Sequence, residues 1–209
     1  MRKLKSEIVR KGYNKIAKNY HKQRKRYPSI PLLKRYFLKE IPKNSKILDL
    51  GCGSGFPVSK FLAEKGHEVT GVDFSKSMIN LARKNVPKGK FILGDITKLK
   101  LNANSYDGAV SFYAIIHIPK ERHKLIYKNL HKILKPSGVI FFNASGTGDW
   151  EETTKDYMGV PMFWSFYSEK ETLKMIKKEG FKILWSKVLN IGNETQFWVM
   201  ARNIKLQSK

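Results

Sequence analysis

Between residues 46 and 74 the chain reads Lys46-Ile-Leu-Asp-Leu50, then Gly51-Cys-Gly-Ser-Gly55, then a helical run near 58–65, then Glu68-Val-Thr-Gly-Val72 followed by Asp73. This segment constrains the fold more than any other. Two short apolar strands joined through a glycine turn and a helix make a β-α-β unit, and parallel strands connected that way are covered by helices on both faces. Glycines at the first strand's end let the backbone turn sharply and come close to a ligand at the carboxyl edge of the sheet.

The rest of the chain continues the alternation. Residues 1–45 read as helical, with Ile8, Tyr13, Ile16, Ala17 and Tyr20 near helical spacing and a second run over Leu32 to Leu38. Tyr27-Pro28-Ser29-Ile30-Pro31 is expected to break the two apart. A helix is expected over 77–84, capped by Ser75 or Ser77. Strands follow at 90–93 and 106–112, a helix at 120–134 stopped by Lys135-Pro-Ser-Gly138, and a strand at 139–143. Residues 145–167 read as irregular. A helix at 168–179 and a hairpin of 181–189 with 195–201, turning at Gly192-Asn193, complete the chain. A closing hairpin with no helix between its strands adds an antiparallel strand to a parallel sheet. The fold class is therefore α/β, in one unit over 1–209: a helical cap (1–45), a core (46–144), a lid (145–167), and a helix with terminal hairpin (168–209).

The glycine turn also sorts ligands. No Lys-Ser or Lys-Thr follows it, which excludes a triphosphate-binding P-loop. A dinucleotide fingerprint wants its third glycine three positions after the second, where this chain has Phe56. Asp49, two residues before Gly51, would repel a pyrophosphate but suits a cationic ligand such as a sulfonium amino acid. Asp73, at the end of the second strand, is placed to accept hydrogen bonds from both hydroxyls of an adenosine ribose.

With those residues in view, the chain resembles the class I S-adenosylmethionine-dependent methyltransferases, and in particular the small single-domain branch called type 11. Asp49-Leu-Gly-Cys-Gly-Ser-Gly55 is similar to that family's first motif, and Val72-Asp-Phe-Ser75 with Met78 to its second. Gly94-Asp-Ile96 resembles the adenine-reading motif, Ser111-Phe-Tyr-Ala114 with His117-Ile118 the motif beside the transferable methyl, and Leu134-Lys-Pro-Ser-Gly138 a family turn with Ser137 in place of a glycine. The resemblance implies a Rossmann-like, seven-stranded, mostly parallel sheet of order 3-2-1-4-5-7-6 with its last strand antiparallel. It implies S-adenosylmethionine as cofactor, S-adenosylhomocysteine as product, and no metal. Asp49, Gly51, Cys52 and Gly53 would border the methionine moiety, Asp73 would hold the ribose, and Phe74 and Met78 would flank the adenine. Asp95 and Ile96 would read the base, Phe112 would lie in the motif beside the transferable methyl, and Tyr20 would either close over the cofactor or only pack the N-terminal segment onto the sheet.

Outside these motifs, His117 has the side chain of a candidate base, titrating near neutrality and following the fourth strand; the alternative is a histidine that shapes the turn before Pro119. Methyl transfer from a sulfonium is an in-line displacement that proximity and orientation alone can accelerate, so a base is not required. Cys52 reads as a small residue in a tight turn rather than a nucleophile. The aromatic-rich stretch 145–167 begins at the ligand edge of the sheet and reads as a lid, with Trp150, Phe163 and Trp164, together with Tyr13 and Tyr113, as candidate acceptor contacts. The alternative for Trp150, Phe163 and Trp164 is satellite core.

Charge bears on the acceptor. The net charge is +24, and residues 1–46 hold sixteen basic and two acidic residues. That segment motivates a nucleic-acid reading, with Lys22-Gln-Arg-Lys-Arg26 as its densest run. Only eight of the 41 basic residues are Arg, the side chain that bidentate phosphate recognition favours. Residues 149–171 carry six acidic and two basic residues, a poor surface for a phosphate backbone. The expectation is a small-molecule methyl acceptor, with RNA as the alternative. No apolar run approaches the roughly 18 residues that cross a bilayer, and the charged start gives no leader pattern. A cytoplasmic monomer or homodimer with one unpaired cysteine is expected.

Overall fold

The computed structural model describes residues 2–23, 29–145, 148–191 and 194–205. The main sheet is built from β1 (Lys46–Leu50), β2 (Glu68–Asp73), β3 (Lys90–Leu93), β4 (Tyr106–Ser111), β5 (Leu134–Ser145), β8 (Phe181–Ile191) and β9 (Glu194–Asn203). Two further strands, β6 (Trp150–Thr154) and β7 (Met162–Phe166), form a separate antiparallel pair. The main sheet runs β3-β2-β1-β4-β5-β9-β8. It differs in detail from the expected 3-2-1-4-5-7-6 because the region expected to be irregular holds β6 and β7, which shift the numbering of the last two strands. β1 to β5 are mutually parallel, and β9 runs antiparallel to both β5 and β8.

The apolar strands are apolar throughout because both faces are covered. On β1, Leu48 and Leu50 join one buried cluster with Ile126, Leu130 and Phe142, while Ile47 joins the opposite one with Leu33, Phe37, Phe141 and Trp198. Successive side chains point to opposite faces of a strand, so neighbours such as Phe141 and Phe142 feed two different cores. The helices covering the faces are α1 (Arg2–Gln23), α2 (Ser29–Arg35), α3 (Val58–Glu64), α4 (Lys76–Asn85), α5 (His123–Ile133) and α6 (Glu169–Lys178). Ser75 is the N-cap of α4, its hydroxyl accepting from the Met78 N–H.

Several expected boundaries move. Lys135-Pro-Ser-Gly138 does not separate α5 from its strand. Tyr106 pairs with Leu134 and Gly108 with Val139, so the turn is absorbed as a bulge inside β5, with Ser137 at φ 65°. Ser29, Ile30 and Pro31, expected to break the N-terminal helices, form the first turn of α2, where a proline's missing N–H has no helical partner to lose. Tyr27 and Pro28, the hairpin turn Gly192-Asn193, and Arg24 to Arg26 lie outside the described residues.

The helix α1 packs across the carboxyl edge of the sheet. Val9, Tyr13, Ile16, Ala17 and Tyr20 are buried against Met78, Val160, Met162 and Phe163. Val9 takes the inward position that Ile8 was expected to fill, because Val9, Tyr13, Ile16 and Tyr20 follow the three- and four-residue steps of one helix face. Each such side chain contributes about 1.5–3 kcal/mol on full burial, which holds the helix over the sheet edge. No helix among the described residues is long and apolar enough to cross a membrane.

Candidate active site

The turn after β1 is held from two sides. The Gly51 and Cys52 N–H groups both donate to the Val72 carbonyl, at 2.8 and 3.1 Å, locking the turn to the end of β2. Gly51 and Gly53 sit at φ 70° and 53°, a region that disfavours side chains. A Cβ on Gly51 would lie 2.1 Å from that of Ala114, whereas one on Gly53 would meet nothing within 4 Å. The first glycine is required by packing; the second opens onto a cleft.

Asp73 joins the turn to the second strand. One carboxylate oxygen accepts from the Gly53 N–H at 2.9 Å and the other from the Ser75 N–H at 2.8 Å. Burial nevertheless pushes its pKa up to about 6, against the lowering by those backbone donors and the Phe74 N–H. Asp49 is also buried and accepts from the Ser59 hydroxyl at 2.5 Å. The Cys52 thiol packs against Gly71 in a small apolar cluster with Ile79 and Phe91. Burial, then the Asp49 and Asp73 charges, push it well above its ordinary value, so Cys52 offers the cleft backbone rather than a thiolate.

All eleven residues expected to hold the cofactor (Tyr20, Asp49, Gly51, Cys52, Gly53, Asp73, Phe74, Met78, Asp95, Ile96 and Phe112) line one cleft of about 1020 Å³. Asp95 also caps a short 3₁₀ turn, accepting from the N–H and hydroxyl of Thr97, and its second oxygen lies 3.4 Å from the Arg122 guanidinium. The cleft fits an adenosyl sulfonium. It has apolar walls at Phe74, Met78 and Ile96, a carboxylate at the end of β2, and free space above Gly53.

A second, smaller cleft of about 340 Å³ shares Tyr13, Tyr20, Tyr113 and His117 with the first and adds Ile116, Tyr157, Trp164, Glu194 and Gln196. His117 lies at the junction. Its Nδ1 is 2.8 Å from the Phe163 carbonyl, which can only accept, so Nδ1 carries a proton, and Nε2 is hydrogen-bonded with the Tyr13 hydroxyl at 2.7 Å. The next histidine, His123, donates through Nε2 to the Ile118 carbonyl and is pushed down to about 4 by burial, which keeps it neutral. Tyr113 sits at φ 59°, with its N–H donating to Asn143 Oδ1 at 2.6 Å; Asn143 Nδ2 in turn donates to Gln196.

The expected acceptor residues divide. Tyr13, Tyr113 and Trp164 line the second cleft, whereas Trp150 and Phe163 line neither. Trp150 packs against Phe166 across the β6–β7 pair, and Phe163 is buried under α1, presenting its carbonyl to His117. Strand alternation separates Phe163 from Trp164, which project from opposite faces of β7, whereas Trp150, paired with Phe166, shares the Trp164 face at the end of the hairpin ladder. Asp149 and Glu151, the start of the acidic stretch, bond to Lys120 and Lys5 and so anchor the hairpin to the rest of the chain. Sequence reading missed Asn14, whose side-chain oxygen accepts from the Ser75 hydroxyl and the Ser77 N–H, and His21, bonded to Ser54 at 2.9 Å. Both lie beside the tyrosines of α1, their one sequence signal. No cluster of metal-ligating side chains occurs among the described residues.

An α/β sheet with a glycine turn, a carboxylate at the next strand's end and a cleft above both defines a nucleoside-cofactor-binding domain. Residues 47–138 match the family model described as a methyltransferase domain. The malonyl-[acyl-carrier protein] O-methyltransferase of Priestia megaterium is 31% identical over 164 residues, 74% of this chain and 57% of that protein. The YqeM protein of Bacillus subtilis is 27% identical over 157 residues, 70% of this chain and 63% of that protein. The chain thus spans less than two thirds of the length of these curated relatives. The 1,6-didemethyltoxoflavin-N1-methyltransferase of Burkholderia thailandensis, solved with its substrate and S-adenosylhomocysteine bound, superposes with a TM-score of 0.72 at 18% identity, covering 97% of this chain and 88% of its own. Residues 47–138 therefore carry a methyltransferase domain of the S-adenosylmethionine-dependent type.

Proposed function

We propose that the protein transfers the methyl group of S-adenosylmethionine to a small-molecule acceptor held in the aromatic cleft. The observation that carries this reading is that the two clefts adjoin, sharing Tyr13, Tyr20, Tyr113 and His117 in their linings. The cofactor, when bound, supplies an electrophilic methyl on a sulfonium. Asp73 would hold its ribose, Phe74, Met78 and Ile96 its adenine, and the open backbone at Gly53 its amino-acid portion, with Asp49 complementing the positive charge. Tyr13 and His117 orient the acceptor, and where the acceptor must shed a proton the Tyr13 oxygen takes it while passing its own to Nε2. The imidazolium so formed keeps its Nδ1–H on Phe163. Holding both reactants in line in a water-poor cleft accounts for most of the acceleration asked of the protein.

The alternative acceptor is RNA. Arg10, Lys11, Lys15, Lys18 and Lys22 lie exposed on α1, the helix that walls both clefts. Transfer of labelled methyl from S-adenosylmethionine into cell extract, fractionated by size with and without RNase, separates the two. Label among small metabolites is the expected result. Label in a large, RNase-sensitive fraction would replace the small-molecule reading with the RNA one, and activity would then fall steeply with salt.

A further inference from the structure

We infer that the second cleft takes an organic amine and stabilises the ammonium that methylation makes of it. The inference rests on the cofactor reading above and adds the acceptor's class. Its walls are aromatic and set at angles to one another. Tyr13 meets Tyr20 edge-on at 5.1 Å and 77°, and meets His117 at 5.2 Å and 80°. Trp164 lies 4.5 Å from the His117 ring, and Tyr157 meets Trp164 at 5.1 Å and 86°. Tyr13, Tyr20, Tyr113, Tyr157 and Trp164 are five of the nine described residues that line this cleft, and a cation held against such rings gains from their electron-rich faces.

Charge points the same way. The chain carries a net +24, yet no Lys or Arg is among the described residues lining this cleft, and its acidic member is the exposed Glu194. Its phenols, indole and carboxylate are groups that recognise a positively charged nitrogen.

The chemistry uses that preference. The lone pair of a neutral amine forms the new N–C bond while the C–S bond breaks and its electron pair stays on sulfur. The positive charge moves from the sulfonium to the nitrogen, and the products are S-adenosylhomocysteine and an N-methylammonium. The aromatic walls therefore gain interaction as the charge arrives on nitrogen, so they favour the transition state over the neutral amine. The same walls hold the ammonium product, and product inhibition by the methylated amine follows.

The test is binding, independent of turnover. The full chain saturated with S-adenosylhomocysteine is titrated calorimetrically with choline and with 3,3-dimethyl-1-butanol, which has the same shape with carbon in place of the charged nitrogen. Choline is expected to bind at least about tenfold more tightly than the alcohol, as cation–π contacts with several rings provide. Trp164→Leu is expected to abolish that preference while S-adenosylhomocysteine still binds; Tyr157→Leu serves the same purpose and spares the Trp164 hydrogen bond to Thr154. Equal binding of the two probes, tighter binding of the alcohol, or no binding of either to the loaded protein would overturn the amine assignment and leave the cofactor reading standing. Failure to bind S-adenosylhomocysteine at all would overturn both.

Discussion

Replacing Asp73 by Asn separates what the carboxylate costs the fold from what it gives the cofactor. A pKa raised to about 6 from the ordinary 3.8 means that the folded chain binds this proton more tightly than the unfolded one. The ionised side chain at neutral pH therefore works against folding, by about 3 kcal/mol at order-of-magnitude level, and the cost is relieved as pH falls through 6 toward 4. Asn removes that cost and keeps an acceptor for the Ser75 N–H, but its amide turns a donor toward the Gly53 N–H and leaves one buried donor unpaired, a loss of about 1–3 kcal/mol. The two effects offset, and the melting temperature is expected to move by no more than about 8 °C in either direction. Affinity for S-adenosylhomocysteine behaves differently. Ribose hydroxyls that donate to a carboxylate lose charge-assisted bonds worth about 1.5–3 kcal/mol, a fall of about 10- to 100-fold. Calorimetric titration from pH 4.5 to 8, with thermal melts alongside, reads both. The native protein is expected to lose affinity below pH 6, and the Asn variant to be weak and flat across the range. A variant that binds as tightly as the native protein, or a native profile without the acid fall, refutes the assignment of Asp73 to the ribose.

Three further outcomes follow from the described contacts. His117→Ala is expected to lower turnover at least tenfold with S-adenosylhomocysteine affinity unchanged, and equal loss of both would reduce His117 to a structural role. Tyr13→Phe, which removes the 2.7 Å bond to His117, is expected to lower turnover most when the acceptor must shed a proton; a pH–rate profile identical to the native one would exclude the relay. Ser75→Ala strips the cap from α4 and a tie to Asn14, so thermal denaturation is expected to register a loss of about 1–2 kcal/mol, with cofactor affinity reduced in parallel as the second motif loosens.

The floor of the site was legible in the sequence because it is local. Gly51, Asp73, Asp95 and Phe112 each sit at or just past a strand's end, and strand ends can be read from short apolar runs and the turns that follow them. The second cleft was legible only in pieces: Tyr13, Tyr113, His117 and Trp164 were named singly, but the cleft joins Tyr13 to His117, a separation of 104 residues, and draws Glu194 and Gln196 from the last strand. The pair β6–β7 hid for another reason. Trp150-Glu-Glu-Thr-Thr154 is polar on much of its exposed length, and Met162-Phe-Trp-Ser-Phe166 alternates only weakly, so neither carries a clear period-two signal. Treating both as a loop removed the alternation that places Phe163 and Trp164 on opposite faces.

One helix walls both clefts. Tyr13 and Tyr20 of α1 touch each, and the helix is tied down by Asn14 to Ser75, His21 to Ser54 and Lys5 to Glu151. Any displacement of α1 changes the two clefts together, so their ligands are linked thermodynamically whatever their distance. A ligand that binds better when the helix is seated raises the affinity of the other by the factor it receives in return, since such coupling is reciprocal.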